Sequence, residues 1–329
     1  MKILSFIIVN YNGMDFLNGL LESLEELNTG YGEKSAVNYK KSYDSVWEAI
    51  FFDNGSTDGS LEFLREKCLM NTNLRLIESK TNTGFCFASN EAARQAESEY
   101  LVFLNPDTVI KTKNPDILLS FVEEKADSGD RMGALGVKTL NIDGTLQFSC
   151  RTFPTIARQF YESFFLAKLF RKSRIFGSYF MTWWDHRESR EVDWVSGSFL
   201  LIKKELFFSM NGFDEDYFMY SEDTDLCKRL KKKGYKNYYF PDFEIIHLDS
   251  AIALRDFANR EKGIWKSRKL YFEKNHSGKH ALVISFLCFC GNLKRAFLFL
   301  LLYLFTFKRK NIIRSCNYFK AIKSYLSGS

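Results

Sequence analysis

The sequence predicts an α/β fold, a mostly parallel Rossmann-like sheet with helices on both faces, followed by an apolar and basic helical extension. Three observations predict it. Short apolar, β-branched runs alternate with segments of helical period through the first 105 residues. Acidic or glycine-rich segments follow directly on the ends of three of those runs. Late in the chain the composition changes: from Lys274 to Ser329 there are ten Lys or Arg and no Asp or Glu.

Each element has its own signal. Ile3–Val9 is apolar and β-branched, reads as a buried strand, and is broken by Tyr11-Asn12-Gly13. Leu17, Leu20, Leu21, Leu24 and Leu27 recur at helical spacing, and Asn28–Ser45 is a polar stretch that reads as a long loop. Trp47–Phe52 is the second strand, and Leu61–Leu69 a helix entered through a turn rich in Ser and Asp. Leu74–Ile77 is a short strand, Ala88–Ala96 a helix, and Tyr100–Leu104 a fourth strand. Strands alternating with helices of this length imply right-handed crossovers, which gather the strand-end loops on one edge. Further on, Ala134–Val137 reads as a strand and Asn141-Ile142-Asp143-Gly144 as a hairpin turn. Phe160–Phe180 is aromatic and basic without a clear period. Trp194–Ile202 reads as one strand running through Ser196-Gly197-Ser198. Leu226–Lys233 is a helix stopped by Gly234, and Tyr238–Phe240 a strand ending before Pro241.

Charge and cysteines narrow the function classes. The net charge is +6, yet the basic tail leaves 36 basic and 40 acidic groups in the other 273 residues. Because the basic residues flank apolar runs, they point to an anionic membrane surface and not to nucleic acid. The seven Cys show no paired spacing for zinc and read as reduced, small hydrophobes. The first apolar run is too short for a signal segment, so the expectation is a cytoplasmic protein.

Four segments carry candidate chemistry. Phe52-Asp53-Asn54-Gly55-Ser56-Thr57-Asp58-Gly59-Ser60 offers carboxylates among small residues that let backbone N–H groups approach a ligand; a capping turn would look the same. Asn82-Thr83-Gly84-Phe85 opens a helix. In Asn105-Pro106-Asp107 a single carboxylate projects past a strand end, suited to Mg²⁺ or Mn²⁺ shared with phosphate oxygens, or else to a plain turn. Glu222, Asp223 and Asp225 crowd the start of a helix among Phe213, Tyr217, Phe218 and Tyr220. They either complement the helix dipole or, with pKa values raised by burial, serve as a proton acceptor. His247 on its apolar strand reads by itself as a core residue.

The ordered set resembles family 2 glycosyltransferases with the GT-A fold. The resemblance rests on Ser5-Phe6-Ile7-Ile8-Val9-Asn10-Tyr11-Asn12, Asp53 through Ser60, Asn82-Thr83-Gly84-Phe85 with Ala88 and Asn90, and Asn105-Pro106-Asp107. Asp143-Gly144-Thr145-Leu146-Gln147, Arg151-Thr152-Phe153-Pro154, Trp194-Val195-Ser196-Gly197 and Phe213 through Cys227 are similar to its rhamnosyltransferase-like branch, which builds bacterial surface polysaccharides. The resemblance implies a GT-A domain over 1–250, with a nucleotide-sugar half at about 1–110 and an acceptor half at about 130–250, and a helical region over 251–329.

It also implies roles. Val9, Asn10, Tyr11, Asn12, Asp53, Asn82, Gly84, Asn105 and Asp107 would bind the nucleotide-sugar, and Asp107 with His247 would hold the metal. Asn105 stands where many members carry Asp. Asp223 would be the catalytic base, with Glu222 its rival, and Trp194, Gly197 and Asp225 would border the acceptor, the indole stacking on a sugar face. The reaction implied is inverting transfer from a nucleoside-diphosphate sugar to a saccharide or lipid-linked saccharide. A catalytically silent GT-A scaffold is the alternative. A sugar nucleotidyltransferase would want a basic glycine-rich triphosphate loop near the N-terminus, which Asn10–Gly13 does not supply.

The tail has two apolar runs, Ala281–Cys290 and Ala296–Phe307, split by Gly291-Asn292-Leu293-Lys294-Arg295. The longer is about 18 Å as a helix, against a hydrocarbon core of roughly 30 Å, so neither spans alone. Residues 281–323 are expected to make peripheral contact with the inner face of the cell membrane, with Lys308-Arg309-Lys310 on anionic headgroups. A homo-oligomer interface or a cover for the catalytic domain is the other reading.

Overall fold

The structure is a computed structural model that describes residues 3–28, 47–248 and 257–327. Apart from Asn28, the long loop expected over Asn28–Ser45 lies outside the described residues. In chain order the first elements are β1 (Leu4–Asn10), α1 (Met14–Glu25), β2 (Trp47–Asn54), α2 (Ser60–Met70), β3 (Leu74–Ser79) and α3 (Phe85–Arg94). Next come β4 (Tyr100–Leu104), β5 (Thr108–Ile110), α4 (Asp116–Asp127), β6 (Met132–Leu140), β7 (Leu146–Gln147) and β8 (Cys150–Arg151). After α5 (Ile156–Ser163) and α6 (Leu166–Leu169) follow β9 (Arg190–Val192), β10 (Trp194–Val195), β11 (Phe199–Lys203) and α7 (Lys204–Ser209). The last are α8 (Glu222–Lys232), β12 (Lys236–His247), α9 (Phe257–Asn275), α10 (Gly278–Thr306) and α11 (Arg309–Leu326).

These fall into two compact units. One holds the chain up to Arg151 together with His186–Asp216 and Glu222–Leu248; the other holds Thr152–Asp185, Tyr217–Ser221 and the helices from Phe257 on. The division is therefore not a single cut in the chain.

The first unit is built on a sheet of order β3-β2-β1-β4-β11-β6-β12-β5. Pairs among β3, β2, β1 and β4 are parallel, as is β6 with β12, whereas β11 runs antiparallel to both its neighbours. Every residue of β1 and β2 is buried, which is why both read as continuous apolar runs and not as alternating ones. α1 buries Leu17, Leu20, Leu21 and Leu24, the stripe seen in the sequence. With β2 on one side of β1 and β4 on the other, the sheet has its switch point at β1, and open α/β sheets bind ligands beyond the carboxyl ends of the strands at such a point.

Two strands differ from expectation. Trp194–Ile202 is not one strand: Ser196-Gly197-Ser198 leaves the ladder, so that β10 pairs with β8 and β11 with β4. β12 does not end before Pro241 either. The missing N–H is absorbed by a register shift between Phe240 and Glu244, and the strand continues to His247. α4 was not anticipated; it places Phe121 against Phe240, ring centroids 4.6 Å apart.

At the far end of the sheet Glu48 is fully buried and accepts hydrogen bonds from the Ser5 hydroxyl, the Glu97 N–H (2.8 Å) and the Arg75 guanidinium. Burial alone would raise its pKa, but these donors hold it below the ordinary value. A depressed carboxyl pKa stabilises the fold above the unfolded value, and that contribution is lost as pH falls through the lower folded value. Glu48→Gln is expected to cost about 1–3 kcal/mol at neutral pH, since an amide cannot satisfy every donor. Melting curves should show the deficit shrinking below the ordinary carboxyl range.

The second unit corrects one expectation about the tail. Gly291–Arg295 does not split the two apolar runs; Gly278–Thr306 is one 29-residue helix. Its centre is held by the unit's own short helix, where Lys294 Nζ donates to Phe164 O (3.2 Å) and Arg295 Nη2 to Glu162 O (3.2 Å). Two charges with protein acceptors remove the reason for a break. By length and composition the helix could cross a membrane, with a third of its most apolar window buried. Trp265 of α9 stacks on Tyr325 of α11 at 3.6 Å.

Candidate active site

The site begins at the ends of β1 and β2. Asn10 is fully buried, and its amide Nδ2 faces Asp53 Oδ1 (2.8 Å), Ser60 Oγ (2.9 Å) and Ser56 Oγ (3.1 Å). Asp53 Oδ2 accepts from Ser56 N (3.0 Å), so the first acidic loop folds back over its own strand end. Gly13 is required beside it, because a Cβ there would stand 2.4 Å from Asn10 Oδ1. Asn12, at φ 52°, donates its N–H to Ser56 Oγ (3.0 Å) and accepts from Thr57 N (2.8 Å). Val9 is buried, while Tyr11 stands half exposed at the rim.

Asn54 was quoted in the sequence without a role, and it has one. Its Oδ1 accepts from Thr83 N (2.8 Å), and its Nδ2 donates to Asn82 Oδ1 (3.1 Å) and Gly84 O (3.2 Å). The Asn-Thr-Gly turn is thereby clamped to the end of β2, bringing Asn82 and Gly84 beside Asp53. α3 starts there, and its Asn90 bonds Phe213 O (2.8 Å), Phe213 N (2.9 Å) and Glu215 Oε1 (2.9 Å). Gly212, at φ +68°, sits against it with room for no Cβ, which would lie 2.6 Å from Asn90 Oδ1. Gly212→Ala is expected to destabilise by about 1–3 kcal/mol, read as a lowered melting temperature.

The third strand end brings Asn105, Asp107 and His247 together. Edge strand β5 pairs Thr108 with His247, which places the ring beside the Asn-Pro-Asp turn. His247 Nε2 lies 3.3 Å from Asp107 Oδ1 and 3.1 Å from Asn105 Nδ2. On its other side His247 Nδ1 meets Gln147 Oε1 at 2.7 Å. Neighbouring ligands on an octahedral ion with bonds of about 2.1 Å lie about 3 Å apart. The Asp107 and His247 pair therefore fits a shared divalent cation. Among the described residues no group of three His, Cys, Asp or Glu is arranged to hold a metal.

The acidic start of α8 is bonded to the loop between β10 and β11. Asp223 Oδ2 accepts from Gly197 N (3.0 Å), and Oδ1 from Thr224 N (2.6 Å) and Thr224 Oγ1 (3.1 Å). The loop carrying Gly197 also carries Ser198, whose carbonyl accepts from Asn105 N (3.4 Å). Ser196-Gly197-Ser198 thus ties Asp223 to the Asn-Pro-Asp turn. Burial raises the pKa of Asp223, against the pull of the Gly197 and Thr224 N–H groups and the Arg151 charge. Glu222 is more deeply buried, and burial followed by the Asp223 charge pushes it well above the ordinary value. Its Oε2 has no hydrogen-bond partner.

Two expected acceptor contacts are placed otherwise. Asp225 is buried and pairs with Arg229 Nε (2.7 Å), whose other nitrogens hold the carbonyls of Met210 and Gly212. It braces the turn before α8. Trp194 is 5% exposed, and the Arg151 guanidinium lies 4.8 Å from its ring centroid. That ring face cannot also stack on a sugar. Arg151, missed in the sequence as a site residue, is the cation adjoining Asp223.

The family described as Glycosyl transferase family 2 matches residues 5–172, and one described as the N-terminal domain of galactosyltransferase matches 186–250. The chain belongs to glycosyltransferase family 2. Similar to this family 2 chain is an N-acetylglucosaminyl-diphospho-decaprenol L-rhamnosyltransferase of Mycobacterium tuberculosis, 31% identical over 248 residues, 70% of this chain and 75% of that protein. Rhamnosyltransferase WbbL of Escherichia coli is 34% identical over 161 residues, 48% of this chain and 55% of its own length. A mannosyltransferase of Pyrobaculum calidifontis, solved with GDP-Man and Mn²⁺, shares the fold with a TM-score of 0.55 at 16% identity, over 99% of this chain and 87% of its own. The GT-A architecture expected from the sequence is the one observed.

Proposed function

We propose that this family 2 enzyme is a metal-dependent, inverting rhamnosyltransferase that acts on a lipid-linked saccharide in cell-surface polysaccharide synthesis. The observation that carries the reading is the loop Ser196–Ser198, which bonds Asp223 through Gly197 N and the Asn105–Asp107 turn through Ser198 O. The names of the mycobacterial and Escherichia coli relatives support the sugar and the acceptor class. The catalytically silent alternative is not favoured, since the mycobacterial and Escherichia coli relatives carry the names of rhamnosyltransferases.

Each group then has work suited to its place. Asp53 and the turn at Asn82–Gly84 receive the nucleoside, with Tyr11 at the rim. Asp107 Oδ1 and His247 Nε2 would hold Mg²⁺ or Mn²⁺, with water and diphosphate oxygens completing its coordination. The bound ion supplies charge neutralisation for the departing diphosphate. Asp223, the less buried of the two acids, takes the proton from the acceptor hydroxyl as that oxygen attacks the anomeric carbon from the side opposite the leaving group. The Gly197 N–H keeps the carboxylate aimed. Arg151 adds positive charge beside it.

The test is transfer to an N-acetylglucosaminyl-diphospho-polyprenol, followed by mass spectrometry across a panel of nucleoside-diphosphate sugars, with and without Mn²⁺. Absence of product from every donor, for protein that melts cooperatively, would sink the reading.

Peripheral docking on the cytoplasmic membrane face belongs to the same proposal. The second half of α10 exposes Phe297, Leu301, Leu304 and Phe305, followed by exposed Phe307. Lys308, Arg309 and Lys310 come directly after. Because Lys294 and Arg295 are bonded within the unit, the free apolar stretch is only about 16 Å long and reaches into one leaflet. Each basic residue near an anionic surface contributes about 1 kcal/mol. Replacing all three by Gln is therefore expected to weaken co-sedimentation with phosphatidylserine vesicles on the order of 100-fold. Unchanged binding would return the tail to the oligomer reading.

A further inference from the structure

The hairpin Asn141–Gln147 was singled out in the sequence, and the catalytic reading gives it nothing to do. Its hydrogen bonds form a chain whose polarity can be worked out donor by donor. Asp143 is exposed, and the Thr145 hydroxyl and N–H hold its carboxyl below the ordinary value, so it is ionised and accepts only. Thr145 Oγ1 lies 2.6 Å from Asp143 Oδ1 and therefore donates its one hydrogen there. Toward Asn141, at 2.9 Å, that oxygen can only accept, so the Asn141 end facing it is the NH₂. The carbonyl oxygen of Asn141 then faces Gln147, at 3.0 Å, and must meet the Gln147 NH₂.

The same NH₂ lies 3.3 Å from the backbone carbonyl of His247, a second acceptor that fixes the same orientation. Gln147 Oε1 is left facing His247 Nδ1 at 2.7 Å. An acceptor at that distance requires a hydrogen on Nδ1. A neutral imidazole carrying it there has its lone pair on Nε2, the atom 3.3 Å from Asp107 Oδ1.

We propose that Gln147 is a positioning residue that holds His247 in the Nδ1–H tautomer, with its own orientation set by Asp143 through Thr145 and Asn141. The hairpin thereby keeps the His247 lone pair directed at Asp107. The consequence for a divalent ion rests on the metal reading given above, and the tautomer does not. Partners one step removed from a metal typically change its affinity about 10–100-fold when removed.

The experiment is a long-range ¹H–¹⁵N spectrum of the full-length chain at neutral pH without added metal. The signals of His247 are those that vanish in His247→Ala. The expected pattern in the parent is a protonated Nδ1 and a bare Nε2. Gln147→Leu should lose that preference, and Asp143→Ala, a change on an exposed turn, should weaken it in the same direction. Gln147→Glu keeps an acceptor facing Nδ1 and should preserve it. Free Mn²⁺ measured by electron paramagnetic resonance should show affinity lowered about 10–100-fold by Gln147→Leu and retained by Gln147→Glu. An Nε2–H or doubly protonated His247 in the parent overturns the proposal, as does a tautomer that Gln147→Leu leaves unchanged. If the parent binds no Mn²⁺, the metal reading fails while the spectrum still decides the tautomer.

Discussion

Asp223→Asn is expected to lower transfer about 10²–10⁴-fold while nucleotide affinity stays within a few-fold of the parent. That range is what a positioned general base typically contributes. The substitution keeps the shape and removes the proton acceptor. Donor binding should persist because Asp53, Asn54 and Asn82 form their network through contacts that do not involve Asp223. Glu222→Gln is the informative partner. Burial raises both acids, but Asp223 has three donors facing its oxygens and Glu222 Oε2 has none, so the charge is better accommodated on Asp223. A neutral amide imitates a protonated Glu222, and activity should fall by less than about tenfold, well short of the general-base range.

The same pair predicts two pH dependences of opposite sense. Rate should rise with pH through a limb set by the raised Asp223 value, since only the carboxylate accepts a proton. Stability should do the reverse. A carboxyl whose folded pKa is raised binds its proton more tightly in the native state, so stability is lost as pH climbs from the ordinary value through the raised one. Glu222→Gln removes one of the two raised groups and its repulsion with the other, and should raise the melting temperature at alkaline pH. Inactivity of Glu222→Gln alongside a fully active Asp223→Asn would exchange the two roles.

What the sequence makes legible divides along physical lines. β1, β2 and β4 announce themselves because strands buried on both faces leave unbroken apolar runs, and α1 because its leucines share one face. Asp53, Asp107 and Asp223 are legible as strand-end or helix-start acids, and Asn105 as the strand-end amide beside Asp107. The departures need tertiary partners to explain them. Ser196-Gly197-Ser198 leaves the sheet to serve Asp223 and Asn105, a demand invisible in its own residues. β12 survives Pro241 because a register shift absorbs the missing donor. α10 runs through Lys294 and Arg295 because carbonyls of another helix receive them. Gln147 meets a His247 one hundred residues away, and no local spacing reports that. Asp225 and Trp194 looked like acceptor contacts because side-chain type was visible and the partner, Arg229 or Arg151, was not.

The second large effect is expected at Asp107. Asp107→Ala should abolish Mn²⁺-dependent stabilisation by a nucleoside diphosphate and lower transfer about 10²–10³-fold, the scale of removing one preorganised charge-stabilising group. His247→Ala should act in the same direction, and the double variant should cost little more than either alone. Residues that serve one ion lose their function together, so their effects do not add. A chelator applied to the parent should reproduce the phenotype, and added Mn²⁺ should rescue the parent but neither variant. Fully additive losses would instead mean that Asp107 and His247 act on separate steps. In that case the 3.3 Å approach of Asp107 Oδ1 to Nε2 would be a structural contact closing the strand end. Chelation would then leave both the parent's activity and its nucleotide-induced stabilisation unchanged.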